Sequence, residues 1–320
     1  MTNYKLPAVS TAQAPINIPG LTLIQKEDPP KRAPKSPKDK KAAPKALPPR
    51  PKIPTGPKAM IRNAKSRHQT PRAESLPKVP SPSSGGVPDP MPQYITQAYL
   101  NPKRLPQPRQ ILIVMDLNGT LLYRPNKRRP FHFVERPYAQ AFLNYCIDTF
   151  YVAIWSSARP ENVSKMVDKL LTPEQRERCL VVWGRDTFGL SNTDYNSKVQ
   201  VYKRLTTVWM DPCVMSSHPL AQTGGRWDQT NTILVDDSLE KGRTEPFNIL
   251  TLPEFAGLDT ETPNVLPQVH DYINELAHQA DISRFMRQSP FKLDPAYVLL
   301  PDPVEDQHQV QAQVGGVNAG

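Results

Sequence analysis

The sequence has no apolar run long enough to cross a bilayer, and it has only 3 cysteines among 320 residues. A transmembrane helix needs about 20 predominantly apolar residues, so we expect no membrane span, and we find no secretory signal pattern. The cysteines, Cys146, Cys179 and Cys213, are odd in number and lack the spacing of a zinc site. These absences predict an intracellular protein whose thiols are reduced.

The first 110 residues have little acidic charge and almost no aromatic side chains. They contain 20 Lys and Arg against 5 Asp and Glu, a balance of +15, whereas the rest of the chain, with 20 against 25, carries −5. They also hold 23 of the 38 prolines. Because such a chain cannot bury enough apolar surface to fold, we predict that residues 1–90 are disordered and that residues 91–110 are a linker or a short docking segment.

A block of lysines at residues 31–45 has three interpretations. It is a nuclear address, a patch that binds nucleic acid or an acidic partner, or a solvated stretch that keeps the protein soluble. A mitochondrial address stays an alternative because the first 25 residues contain no acid, although Lys5 is their only base. We favour a nuclear or cytoplasmic location and make no prediction of oligomeric state.

Residues 111–290 alternate short apolar runs with helical patterns. The runs are ILIVM, YVAIW, LVVW and ILV. Apolar residues at helical spacing follow Pro137 and Pro160, and we predict further helices over residues 197–205 and 266–276. Unbroken apolar strands separated by helices predict an α/β fold, a Rossmann-like parallel sheet sandwiched by helices. The polar residues 291–320 predict a flexible C-terminal tail.

Polar residues follow these predicted strands, where a parallel sheet places its chemistry. Asp116 follows the first strand, Ser156 the second, and the pair Asp236 and Asp237 ends the fourth. The carboxylates suit a hard cation such as Mg²⁺. A hydroxyl from Ser156 and an ammonium from Lys203 suit a phosphoryl group, which Asp116 would attack as the nucleophile.

The same residues carry a resemblance to a known family. VMDLNGT resembles the DxDxT motif of the haloacid dehalogenase-like (HAD-like) phosphatases, WSS is similar to their second motif and VDDS to their fourth. VERPYAQAFLNYC, YVAIWSSARPENV and EPFNILTL are similar to the domain of the RNA polymerase II carboxy-terminal-domain phosphatases, their small relatives and a presequence-receptor subunit of mitochondrial import. The resemblance covers residues 110–280. It implies a HAD-like fold with a hairpin flap, and Mg²⁺-dependent action on a phosphorylated protein segment.

The resemblance also implies roles at the metal. Asp116 would be both the nucleophile, forming an aspartyl-phosphate, and a metal ligand. Asn118 would offer its backbone carbonyl to the metal, and Asp237 would supply a second carboxylate.

A second group of residues would serve the phosphate. Thr120 and Ser156 would bind it, Lys203 would neutralise its charge, and Asp236 would hold the lysine. Lys198 lies on the same predicted helix as Lys203 and is the alternative for that role.

Each of these residues also has an ordinary explanation. Asp116 could cap a turn and Ser156 could begin a loop. Lys203 could be a solvated helix lysine, while Asp236 and Asp237 could open the next helix. The ordered set is much more specific than any one of its members.

Asn118 departs from the family pattern, because DxDxT has a second aspartate there that acts as general acid and base. An amide does neither, and losing such help typically costs about 10²- to 10⁴-fold in rate. The function is therefore either that of an impaired phosphatase or that of an inactive pseudo-phosphatase. The second would be a phosphoprotein-binding or assembly scaffold, as the import-receptor subunit is.

Two segments near the predicted site stay open to two interpretations. Residues 206–230 are either a substrate-facing insertion anchored by Trp209 and Trp227 or, as we favour, a surface loop near the sheet edge. Residues 126–131, with Lys127, Arg128 and Arg129, either attract a phosphoprotein or form a solvated turn.

Overall fold

The computed structural model describes residues 77–126, 129 and 131–299. The lysine block and the predicted disordered region as far as residue 76 lie outside this part of the chain. So do Lys127, Arg128 and residues 300–320.

A parallel sheet of five strands forms the centre of the domain, in the order β5-β4-β1-β6-β7. A separate antiparallel hairpin consists of β2 and β3 and is the predicted flap. The strands are β1 (Leu112–Met115), β2 (Leu122–Tyr123), β3 (Val134–Glu135), β4 (Tyr151–Trp155), β5 (Val182–Trp183), β6 (Thr232–Asp236) and β7 (Ile249–Thr251). The predicted fold class is confirmed.

Helices connect and cover the strands. They are α1 (Pro92–Ala98), α2 (Ala139–Thr149), α3 (Pro160–Leu170), α4 (Pro173–Glu177), α5 (Asn192–Tyr195), α6 (Leu205–Trp209), α7 (Pro212–Ser217), α8 (Val265–Ala277) and α9 (Ile282–Gln288). The predicted helices after Pro137, near Pro160 and over residues 266–276 are α2, α3 and α8. Among the described residues, no helix combines the length and apolarity needed to cross a membrane.

The sheet is covered on both faces because its strands alternate their side chains. Ile113 and Met115 face a large apolar cluster formed with α2, α3, α8 and α9. Leu112 and Val114 face a smaller cluster to which α6 and α7 contribute.

The three cysteines are free thiols, and burial raises the pKa of Cys179 to about 11.

The predicted helix over residues 197–205 is wrong. The chain is extended there, and its first helical residue is Leu205. Val199, Val201 and Lys203 are buried while the residues between them are half-buried, which is the period of two of an extended chain. Val199 also forms a parallel bridge with Lys78.

Residues 206–230 are not the surface loop that the sequence predicts. They include α7 and most of α6, and Val208, Val214 and Trp227 are buried in the smaller cluster. Trp227 donates from Nε1 to the Ser217 hydroxyl at 2.9 Å. The segment covers one face of the sheet.

Residues 77–90 and 291–299, which the sequence predicts to lie in tails or at their borders, make specific contacts. Residues 77–90 include a 3₁₀ helix at Pro82–Ser84, and the backbone amide of Ser81 donates to Asp194 at 2.8 Å. At the other end, Phe291 and Leu293 pack against the larger cluster. The composition of these segments, rich in proline and polar residues, does not predict these contacts, because each contact depends on a single residue.

Candidate functional site

The strand register brings three carboxylates together. Met115 pairs with Val235, so the next residues, Asp116 and Asp236, lie side by side at the carboxyl ends of β1 and β6. The amide of Asp116 donates to the carbonyl of Val235 at 3.0 Å. Asp237 completes the group, whose carboxylate oxygens lie within 4.8 Å of one another. Asp116 and Asp236 are almost fully buried.

Lys203 contacts this group of carboxylates from the interior of the domain. Its Nζ is 2.7 Å from Asp116 Oδ1 and 2.6 Å from Asp236 Oδ2, and its side chain is fully buried. The extended backbone fixes this position, since the amide of Lys203 donates to the carbonyl of Lys241 at 2.7 Å. Of the two lysines that the sequence offered, the structure places Lys203 in the site.

Lys241 is a second lysine in the site, and sequence reasoning missed it. Its Nζ is 2.8 Å from Asp236 Oδ1, 2.7 Å from Asp237 Oδ1 and 3.6 Å from Asp116 Oδ2. It follows Asp237 by four residues, on the 3₁₀ helix Leu239–Gly242. That spacing was the available signal, but it indicates a local ion pair and not a contact with Asp116 on another strand.

The turn after β1 is built on a glycine. Gly119 has φ +87, and a Cβ there would lie 2.3 Å from Asp237 Oδ2, so only glycine lets the turn approach the carboxylate. Thr120 is buried and donates from Oγ1 to Asp116 Oδ2 at 3.3 Å. Asn118, by contrast, is exposed. The position of the missing acid therefore faces solvent.

Arg136 holds this turn in place and was also missed. It donates to the carbonyl of Thr120 at 2.8 Å, to the carbonyl of Pro253 at 2.7 Å, and to Glu261 Oε1 at 2.7 Å. Its side chain is 1% exposed. The segment VERPY contains this residue, but its sequence pattern does not indicate which loop the guanidinium reaches.

Ser156 lies at the carboxyl end of β4, next to β1 in the sheet. It is buried, and its amide donates to the carbonyl of Trp183 at 3.0 Å. Its hydroxyl oxygen accepts from the amide of Ala158 at 3.4 Å, which leaves the hydroxyl proton available to an anion. Ser156 and Asp116 thus share one edge of the sheet.

The charges of the site shift its pKa values in different directions. Burial raises the pKa of Asp237 to about 7; Lys241 opposes the shift, and Asp116 and Asp236 add to it. Burial would also raise the pKa of Asp236, but Lys203 and Lys241 outweigh burial and hold that pKa well below its ordinary value. Burial would lower the pKa of Lys241, but the three carboxylates raise it well above its ordinary value, so its ammonium stays charged.

The donor set fits a hard divalent cation. Asp116, Asp236 and Asp237 offer carboxylate oxygens within 4.8 Å of one another, and Mg²⁺ prefers such oxygens. The ammonium of Lys241 contacts the same three carboxylates. A metal ion and the Lys241 ammonium would therefore bind the same carboxylates.

Comparisons with known proteins agree with the motifs. Residues 111–283 match the model of a family described as NLI interacting factor-like phosphatase, which is more than half of the 320 residues. An FCP1 homology domain-containing protein of Schizosaccharomyces pombe is 32% identical over 196 residues, which cover 57% of this chain and 78% of that protein. Ubiquitin-like domain-containing CTD phosphatase 1 of Danio rerio is 25% identical over 187 residues, 58% of this chain and 54% of that protein.

A solved structure offers a weaker likeness. Fission yeast RNA polymerase II CTD phosphatase Fcp1, bound to beryllium fluoride, is 10% identical with a TM-score of 0.28, over 62% of this chain and 56% of that one. The architecture described above therefore rests on the sheet topology of this chain and not on that superposition.

Proposed function

Because this chain belongs to the family of NLI interacting factor-like phosphatases, we propose that its domain takes a phosphoryl group from a phosphorylated protein segment onto Asp116 and releases it slowly. The observation that carries the proposal is the contrast between two neighbouring positions. Asp116 is buried beside Lys203 and Thr120, whereas the position that would hold the acid is an exposed asparagine, Asn118.

The first step depends on residues that are all in place. A carboxylate oxygen of Asp116 forms a bond to phosphorus while the bond between phosphorus and the serine or threonine oxygen breaks. Lys203 neutralises charge on the phosphoryl oxygens, and the hydroxyls of Thr120 and Ser156 donate hydrogen bonds to them. These donors belong to buried residues, so little water competes with them.

The amide at position 118 slows both proton transfers, the one to the leaving alkoxide and the one from the attacking water. The leaving alkoxide must take its proton from water, because Asn118 has none to give at neutral pH. Water then attacks phosphorus, the bond between phosphorus and the Asp116 oxygen breaks, and inorganic phosphate leaves. The proton of that water passes to solvent, because no carboxylate at position 118 accepts it. An aryl phosphate, whose leaving group needs less protonation, should suffer less than phosphoserine.

We propose Mg²⁺ as the cofactor, held by the carboxylates of Asp116 and Asp237 and the backbone carbonyl of Asn118. When bound, the ion would offset negative charge on the phosphoryl group. The carbonyl of residue 118 is independent of the side chain, so the change to asparagine leaves this ligand intact. Asp236 holds the Lys203 side chain in place through a contact of 2.6 Å.

Hydrolysis of an aryl phosphate with Mg²⁺ tests the proposal. Asn118→Asp restores the acid and should raise the rate at least about tenfold, since a general acid or base typically contributes about 10²- to 10⁴-fold. Asp116→Asn keeps the shape of the side chain but removes the nucleophile, so it should abolish hydrolysis. If neither the native protein nor Asn118→Asp hydrolyses the ester, the enzymatic proposal fails.

A second candidate function is that of a pseudo-phosphatase that binds a phosphorylated segment as a scaffold. Asn118 favours it, because phosphate contacts survive the change that removes proton transfer. Calorimetry with a phosphoserine peptide and its unphosphorylated form separates the two candidates. Preference for the phosphorylated peptide, with no turnover in Asn118→Asp, would support the scaffold and contradict the enzyme.

A further inference from the structure

Lys241 lies on the outer side of the three carboxylates, opposite the fully buried Lys203. Lys203 contacts Asp116 Oδ1 and Asp236 Oδ2, whereas Lys241 contacts the other oxygen of each, together with Asp237 Oδ1. The side chain of Lys241 is 13% exposed, so solvent and ions reach this side of the group. Every carboxylate that could bind a metal ion here is thus also a partner of Lys241.

The backbone around Lys241 is firmly placed. Its amide donates to the carbonyl of Ser238 at 3.1 Å, and its carbonyl accepts from Lys203 at 2.7 Å. The next residue, Gly242, packs so closely on β7 that a Cβ would lie 2.9 Å from Cβ of Ile249. The backbone therefore holds this lysine beside the site, and only its side chain is free to move away.

Charge makes Lys241 and a divalent cation competitors. When all three carboxylates are ionised, they and the two ammonium groups carry one net negative charge. Without Lys241 the same group would carry two negative charges, which match the charge of Mg²⁺. With Lys241 in place, an entering ion would meet a like charge that contacts the same carboxylates.

We propose that Lys241, which Asp236 helps to hold in the site, is a resident cation that competes with Mg²⁺ for Asp116 and Asp237, and so sets a weak metal affinity for this domain. The inference rests on the proposed function for the identity of the metal. It adds that Lys241 offsets part of the negative charge of the carboxylates and that metal binds only when the Lys241 side chain moves out. The compact ammonium on its flexible stem suits such displacement.

Metal titration of Lys241→Met tests the inference, because methionine keeps an unbranched apolar side chain and removes the charge. Calorimetry with Mg²⁺ and electron paramagnetic resonance with Mn²⁺ should give a Kd at least about tenfold lower for the variant than for the native protein. Lys165→Met is the matched control, since Lys165 lies on α3, is 53% exposed and forms an exposed ion pair with Asp168. Its Kd should equal the native value. Equal Kd values for native and Lys241→Met, or weaker binding by Lys241→Met, would overturn the inference.

Melting temperatures provide a second readout that does not depend on one variant. The native protein should show almost no change in melting temperature with about 1 mM Mg²⁺, because a ligand stabilises only when its concentration exceeds Kd. Lys241→Met and Lys241→Gln should melt lower without metal and recover with it. A clear rise for the native protein at that concentration would contradict the inference.

These outcomes are separate from those of the proposed function. Hydrolysis by Asn118→Asp tests phosphoryl transfer, and its failure leaves the metal titration unaffected. Conversely, equal metal affinities of the native protein and Lys241→Met would contradict the proposed competition by Lys241 and would leave the proposed role of Asp116 unaffected.

Discussion

Buried cations at single positions determine how the site is built. Lys203 joins Asp116 and Asp236 across two strands, and Arg136 joins the turn at Thr120 to Glu261. A buried ion pair gives little net stability when it is compared with apolar packing, but removing one partner leaves the other charge unsolvated. Substitution of either cation should therefore be costly in a way that surface pairs are not.

Arg136→Met should lower the free energy of unfolding by about 3–5 kcal/mol, because it leaves the Glu261 carboxylate buried without its partner. Urea unfolding measures this change. Arg176→Met is the control, because Arg176 and Asp168 form a pair whose side chains are 40% and 45% exposed. Such pairs contribute about 0–1 kcal/mol. Equal losses in the two variants would contradict the role assigned to Arg136.

The carboxylates of the site could be predicted from the sequence, but two of its cations could not. Asp116, Asp236 and Asp237 end strands, and the ends of neighbouring parallel strands meet at one edge, so their proximity follows from the pattern alone. Lys241 lies on a short 3₁₀ helix, and Arg136 lies in the connection after β3. The contacts of residues outside the main strands and helices depend on the backbone path of distant segments, and the local sequence does not specify that path.

At the scale of elements, the extended segment that carries Lys203 is held from both sides. Arg185, just after β5, donates to the carbonyl of Ser197 at 2.9 Å. From the other side, the amide of Gln200 donates to the carbonyl of residue 78 at 2.8 Å. These bonds explain why the segment is not helical, since its backbone groups already have partners elsewhere.

Asp194 fastens the segment 77–86 to this region, and the attachment should depend on pH. Hydrogen bonds from the hydroxyls of Ser81 and Ser84 and the amide of Ser81 lower the pKa of Asp194 to about 2 from an ordinary value of 3.8. A lowered pKa means that the stabilisation is complete above the ordinary pKa and is lost as the pH falls through the lowered one. The attachment should therefore weaken between about pH 4 and pH 2.

Hydrogen exchange measures this attachment. The protection factors of the amides of Ser84 and Gly86 should be lower in Asp194→Asn than in the native protein at neutral pH, and the difference should shrink toward about pH 2. Asp168→Asn, on the exposed surface of α3, should leave these amides unchanged. A difference that persists undiminished in acid would contradict the assignment to the Asp194 carboxylate.

The segment of α6 and α7 should behave as core and not as a surface loop. Trp227→Ala should lower the free energy of unfolding by about 3–5 kcal/mol, because it opens a cavity against Tyr151 and the smaller cluster. Met215→Ala in the same segment removes a side chain that is 53% exposed and should change stability little. Thermal unfolding compares them, and a negligible effect of Trp227→Ala would restore the surface-loop interpretation.

For the whole molecule, the central sheet followed from apolar periodicity and the flap from the family resemblance, but the cover of the second face of the sheet followed from neither. The larger cluster is built by α2, α3 and α8, whose apolar residues recur at helical spacing. The smaller cluster uses α6 and α7, which have 5 and 6 residues. Helices this short contain too few turns for their spacing to be recognised, and the proline, glycine and polar residues within and after them resemble a loop.

The central claim is that the native site accepts a phosphoryl group on Asp116 and is slow to release it. Intact-mass spectrometry after an acid quench, following exposure to an aryl phosphate and Mg²⁺, measures this state directly. The native protein should gain one phosphoryl group, mapped by peptide analysis to Asp116, while Asn118→Asp should turn over without accumulating it and Asp116→Asn should gain none. A native protein that stays unmodified, or a modification that persists in Asp116→Asn, would contradict the account.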